Sequence, residues 1–218
     1  MFSKQALVFL ATSLGPLAAL SAQCVDEEVQ KLAGGLAGDQ FGIPAVDGSH
    51  ALIGAPGDDT AALDGGALYA FHHDGTSWVF DQKILGSNIQ IGDLLGVRIA
   101  IDGDVAIAGG SAEGTGRPGK AWIWRRAGDL WKEEARLDSP GGEADDLFGS
   151  SVAVEGDRVV VGATQATGRV TGSGAAWVYR KNGTWQVEKP SRTTTQPGDL
   201  LGYGVAIDSH DRRRRGWG

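Results

Sequence analysis

The sequence predicts an all-β fold, a β-propeller-like array of four-stranded antiparallel blades with three blades complete and a fourth begun. Three observations predict it. A short mark, Gly-Asp or Asp-Asp followed three residues later by Gly after an apolar residue, occurs four times: Gly38-Asp39-Gln40-Phe41-Gly42, Gly92-Asp93-Leu94-Leu95-Gly96, Asp145-Asp146-Leu147-Phe148-Gly149 and Gly198-Asp199-Leu200-Leu201-Gly202. The closing glycines lie 54, 53 and 53 residues apart, and Trp78, Trp131 and Trp185 keep the same beat at 53 and 54. Gly accounts for 35 of 218 residues with only 7 Pro and no Gly-X-Y period, which excludes collagen and calls for many tight turns. A period of this length is the signature of a repeat architecture.

The chain divides on this beat. Residues 1–22 read as a signal peptide, with Lys4 at its start, an apolar stretch from Ala6 to Leu20, and small residues at Ser21-Ala22 that place cleavage after Ala22. A membrane anchor is the competing reading, but the stretch is short and interrupted. Residues 23–37 form an N-terminal segment in which Val25 to Leu36 is the one place for a short helix. Blades follow at 38–91, 92–144 and 145–197, then a partial repeat at 198–208 and a basic tail at 209–218 holding Arg212 to Arg215. The single cysteine, Cys24, permits no intrachain disulfide and no cysteine metal cluster. No later stretch is long and apolar enough for a membrane span.

Each blade reads as four short strands. In the second, Val97–Ile101 alternates and Asp102-Gly103 turns the chain. Asp104–Ala108 is nearly all apolar, as for a strand covered on both faces. A loop rich in Gly, Ser and Thr leads to the aromatic run Lys120–Arg125, and a turn at Ala127–Asp129 leads to Leu130–Leu137. Asp47-Gly48 and Glu155-Gly156 match the first turn; Asp74-Gly75 and Asn182-Gly183 match the second. Short β-branched and aromatic runs punctuated by Gly and Asp are hairpin signals. The gradient from an apolar second strand to a polar fourth (Gln82-Lys83, Glu133-Glu134, Gln186 with Glu188) places the fourth strand toward water.

These residues resemble the FG-GAP repeat, named for a Phe-Gly and a later Gly-Ala-Pro. The first copy has Phe41-Gly42 and Gly54-Ala55-Pro56. The third has Phe148-Gly149 and Gly162-Ala163-Thr164, and the second the weaker Leu95-Gly96 and Ala108-Gly109-Gly110. The resemblance covers Gly38 to about Asp208. The family is similar to the head of integrin α subunits, which implies a propeller used for binding outside the cell. Integrin-type repeats often carry a calcium loop between the first two strands. Here that junction is a short turn such as Asp102-Gly103-Asp104, and the acidic loop from Gly57-Asp58-Asp59-Thr60 to Asp64-Gly65 lacks the alternating spacing of oxygen ligands.

No residue stands out as catalytic, cofactor-binding or metal-ligating. Asp39, Asp93, Asp146 and Asp199 recur once per blade and are expected to cap turns by accepting backbone N–H bonds. His72 and His73 are neighbours on a strand and point to opposite faces; His50 and His210 stand apart. No nucleophile elbow, zinc-protease helix or phosphate loop is present. The run Gly114 to Lys120 imitates the last but lacks the closing Ser or Thr and the helix. Trp78, Trp131 and Trp185 either pack between blades or form an exposed ring for carbohydrate; their place just after a turn favours packing.

Net charge is −7, which gives nucleic acid no electrostatic attraction. Closed propellers have about four to eight blades. Three and a fraction leave sheet faces bare, so the reading includes a truncated or frame-shifted copy of a longer propeller, self-association completing the ring, or an arc standing alone. The expected function is that of a secreted or cell-surface, non-enzymatic binding module for a protein or carbohydrate ligand. A hydrolase or lyase built on the loops and a calcium-dependent adhesion module are the alternatives.

Overall fold

The computed structural model describes residues 32–166, 172–191, 196 and 198–208. Residues 1–22, read from the sequence as a signal peptide, Cys24, His210 and the arginine tail lie outside the described residues. Every described element is a strand: β1 (Ile43–Asp47), β2 (His50–Ala55), β3 (Ala67–His73), β4 (Trp78–Ile84), β5 (Arg98–Asp102), β6 (Val105–Gly110), β7 (Lys120–Ala127), β8 (Leu130–Asp138), β9 (Phe148–Glu155), β10 (Arg158–Ala163), β11 (Ala175–Asn182) and β12 (Thr184–Ser191). They form three antiparallel sheets, β1-β2-β3-β4, β5-β6-β7-β8 and β9-β10-β11-β12, each in sequence order. These are the three predicted blades. Residues 32–36, the described part of the segment considered for a short helix, are irregular.

The first turn of each blade sits one residue later than the Asp-Gly reading. Asp47, Asp102 and Glu155 still pair across the hairpin, with His50, Val105 and Arg158. The two loop residues are Gly48-Ser49, Gly103-Asp104 and Gly156-Asp157. Only the glycine has positive φ (57°, 58° and 55°), the pattern of a II′ turn with Gly first. The shift frees the Asp carboxylate to reach the next blade. Asp47 accepts from the Gly103 N–H at 2.7 Å, and Asp102 from the Gly156 N–H at 2.6 Å.

The sheets pack face to face in succession. Between the first and second lie Leu52, Leu68 and Ala70 against Ala106, Ala108, Trp122, Trp124 and Trp131. Between the second and third lie Ile107, Ile123 and Leu137 against Val159, Val161, Trp177 and Tyr179, with Phe148 among them. Full burial of each large aliphatic or aromatic side chain contributes on the order of 2 kcal/mol. Among the described residues the third sheet does not return to the first, and the array is not closed.

The repeated mark is the joint between sheets. Leu95, Phe148 and Leu201 form parallel bridges to Gly66, Gly119 and Gly174, at the start of the preceding blade's third strand. Their N–H groups donate to the carbonyls of Gly65, Pro118 and Ser173 at 3.0, 2.7 and 3.0 Å. The glycine that closes each mark lies on the second strand of the preceding blade. A Cβ on Gly54, Gly109 or Gly162 would come within 2.2, 1.9 or 2.1 Å of the carbonyl oxygen of Gly96, Gly149 or Gly202. This fixes the motif of the second copy as Gly109-Gly110-Ser111, one residue later than the sequence placed it.

Two expectations at the ends change. Tyr203–Ile207 forms no strand. In the other sheets this run is held by a second strand, and the residues that would follow here, from 209 on, lie outside the described residues. The end faces are also partly covered. On the first sheet Ile53, Ala67 and Phe71 are buried, with Leu32 and Phe41 packed against that face. On the third sheet Val160 and Ala176 are buried, and Gly202 sits on Gly162.

Gly109→Ala should destabilise the protein by about 2 kcal/mol or more, because the methyl group meets backbone that cannot yield. Gly204→Ala, whose Cβ meets nothing within 4 Å, should change stability by less than about 0.5 kcal/mol. Denaturant midpoints measure both; equal effects would remove the joint from the account.

Candidate functional site

Turn capping by the periodic aspartates holds in all four copies. Asp39, Asp93, Asp146 and Asp199 accept from the N–H three residues earlier, of Leu36, Gln90, Glu143 and Gln196, at 2.5, 2.8, 3.3 and 2.6 Å. The residue after each Asp bends the chain into the joint with positive φ: Gln40 55°, Leu94 56°, Leu147 55° and Leu200 52°. Asp93 does more. Its buried carboxylate also holds Arg117 and, at 2.8 Å, Lys120. The cations of the phosphate-loop-like run 114–120 are thereby used inside the blade, and the run ends in strand β7.

The three tryptophans occupy equivalent places, paired with His73, Arg126 and Lys181 on the third strand of their sheets. They join blades. The Gln82 side chain brackets Trp131, accepting from its N–H at 2.9 Å and donating to its carbonyl at 3.0 Å. Trp185 Nε1 donates to Glu134 of the preceding blade at 3.1 Å. Trp78 meets His73 edge-on at 5.3 Å between ring centres.

The sequence reading missed a second periodic set. The outer strand of each sheet slips register against the third strand, between Ala70 and Phe71, Ile123 and Trp124, and Val178 and Tyr179. The extra residue in each bulge is acidic: Asp81, Glu134 and Glu188. A bulge re-aims one side chain, and here it turns the carboxylate onto a basic side chain of the same sheet. Asp81 meets His72 at 2.6 Å, Glu134 meets Arg125 at 2.8 Å, and Glu188 meets Arg158 at 3.1 Å. The 53- and 54-residue spacing of these acids was in the sequence, but nothing local marks a bulge.

One cleft breaks the repeat. It lies on the first blade, has a volume of about 310 Å³, and is lined by Leu36, Asp39, Asp58, Asp59, Thr60, Tyr69 and Lys83 among others. Asp58 is 1% exposed and accepts from the Tyr69 hydroxyl at 3.0 Å, the Thr60 N–H at 2.9 Å and the Lys83 ammonium at 2.6 Å. Burial alone would raise its pKa; the Lys83, Thr60 and Tyr69 hydrogen bonds outweigh it and hold the carboxyl at about 2, against 3.8 ordinarily. Burial, with Asp58 alongside, pushes the Tyr69 phenol up. Asp59 accepts from the Asp64 N–H at 2.7 Å, closing the acidic loop. In the second and third blades Trp122 and Trp177 stand where Tyr69 does. Trp122 Nε1 bonds to the Ser87 carbonyl at 3.0 Å, so the linker between blades covers that ring.

Residues 131–179 match the family model of the FG-GAP repeat. This segment is similar to an FG-GAP repeat. The match starts on β8 and ends on β11, so the FG-GAP unit takes the outer strand of one sheet and the three inner strands of the next. It thus spans the joint where Phe148-Gly149 meets Gly109, which gives the Phe-Gly of the name a mechanical meaning. No curated protein sequence matches the chain.

Asp58→Asn should lower stability by about 2 kcal/mol near neutral pH, the linkage value of a carboxyl held near 2. A depressed carboxyl stabilises above its unfolded value, and that stability is lost as pH falls through its folded value. The gap between wild type and variant should therefore close between about pH 4 and about pH 2. A gap that stays constant over this range would show that Asp58 is not held as an ion pair.

Proposed function

We propose that this chain is an exported, non-enzymatic binding module that presents a rigid fan of FG-GAP-type sheets, with the first-blade cleft as its contact for a carbohydrate or protein ligand. The observation that carries the reading is the break in symmetry at that cleft. In the second blade Trp122 replaces the phenol, and Arg136, at the position of Lys83, pairs with Asp138 of its own strand. Here a carboxylate, a hydroxyl, an ammonium and a phenol converge on a concavity of about 310 Å³. Aromatic and polar groups meeting in a concavity are the usual make-up of a ligand site. Because Lys83, Asp58 and Tyr69 are already fixed on one another, ordering them costs nothing further when a ligand arrives. Export is supported by the character of residues 1–22, and a binding role by the FG-GAP match at 131–179.

Surface plasmon resonance against neutral and acidic polysaccharides and fibrous extracellular proteins tests this. At least one class should bind, and Asp59→Asn with Thr60→Ala should weaken it while leaving the melting temperature within about 2 °C of wild type. Binding untouched by these changes would move the site elsewhere. Release of new reducing ends from a polysaccharide would replace the binding reading with catalysis.

A further inference from the structure

The two joints between the three sheets are built alike in backbone but differ in charge chemistry. Between the second and third sheets the bulge carboxylate Glu134 is held by Arg125 of its own sheet and reaches across to Lys181 and Trp185 of the next. Arginine and lysine keep their charge throughout the neutral range. Between the first and second sheets, histidine takes the place of permanent charge. His72 stands where Arg125 does and meets the bulge carboxylate Asp81, whose side chain is 8% exposed. His50, paired with His72 across β2 and β3, reaches over the joint to Asp129 at 3.6 Å, in the turn before β8. The equivalent of His50 in the second sheet is Val105.

We propose that the first sheet is acid-tightened: with His72 as imidazolium, its pair with the buried Asp81, facing Asp129 of the second sheet, ties β3 to β4, and loss of that proton loosens the first sheet while the joint between the second and third sheets stays unchanged. The groups facing His72 are Asp81 from β4, His50 from β2, Asp74 just past the end of its own strand, and Asp129 from the second sheet. Asp129 also faces His50, whose other ring nitrogen lies 3.3 Å from the Ser49 hydroxyl. The second oxygen of Asp81 is buried with no hydrogen-bond partner, so a neutral neighbour leaves that carboxylate poorly compensated. The hydrogen bond to Asp81, helped by the charges of Asp129 and Asp74 and opposed by burial, raises the His72 pKa above its ordinary 6.5. A raised imidazole stabilises fully below its unfolded value, and that contribution disappears as pH rises through the folded value. The active window is therefore the one just above ordinary imidazole titration.

Amide hydrogen exchange read by mass spectrometry tests this on the full chain, at about pH 5.5 and about pH 8, with correction for intrinsic exchange rates. Protection of residues 43–84 should fall between the two while that of 148–182 holds. The double variant His72→Arg with His50→Val, which borrows the second sheet's residues, should erase the difference. Equal loss in both sheets, or a pH response that survives the double variant, overturns the proposal. If the variant does not fold, NMR titration of the wild-type imidazoles decides: a His72 midpoint above the ordinary value supports it, and one at or below that value overturns it.

Discussion

The structure depends on backbone meeting backbone between sheets, with no side chain between. Gly54 faces Gly96, Gly109 faces Gly149, and Gly162 faces Gly202. A single methyl group at the first member of each pair would strike a carbonyl oxygen, so the sheets approach this closely only if that position is glycine. The approach sets everything around it. It brings Leu95, Phe148 and Leu201 into bridges with the preceding sheet, and it places Leu52 and Ile107 against Trp124 and Val159 in the two inter-sheet cores. The high glycine content follows from a contact made three times over, and from the positive-φ turns between strands.

Around this hinge of glycines each joint has two further ties at different distances from it. Near the innermost strand, the carboxylate of the first turn accepts from the glycine N–H of the next blade's turn. Near the outermost strand, a tryptophan is held by a side chain of the preceding sheet, Gln82 for Trp131 and Glu134 for Trp185. Three ties along the length of a sheet fix its tilt as well as its spacing. Any surface on such an array inherits that rigidity, and the paired charges of the first-blade cleft are held in place by it.

Much of the fold was legible in the sequence because repetition amplifies weak signals. Val159-Val160-Val161 alone does not separate a buried strand from a helix segment; three copies at one spacing, each followed by an aromatic run, do. The tryptophans and aspartates were legible for the same reason. What was not legible depended on small displacements. Asp102-Gly103 looks like a turn, and only the pairing of Asp102 with Val105 shows the carboxylate released toward the next blade. Asp81, Glu134 and Glu188 look like surface acids of a polar strand until the bulge aims them. The Asp58, Tyr69 and Lys83 cluster joins a loop residue to a pair on the third and fourth strands, and no spacing rule connects them. Tyr203–Ile207 has the pattern of its predecessors, but a pattern alone does not make a strand, and among the described residues no second strand pairs with it.

The most direct measurement is native-state amide exchange at single residues. Leu95, Phe148 and Leu201 carry their N–H groups out of their own sheets and into the preceding one. The account predicts that they exchange as slowly as Ile107 in the middle of a second strand. Exchange of Leu95, Phe148 and Leu201 at the rate of open loops, with Ile107 still protected, would mean that the sheets fold without this joint and would contradict the account.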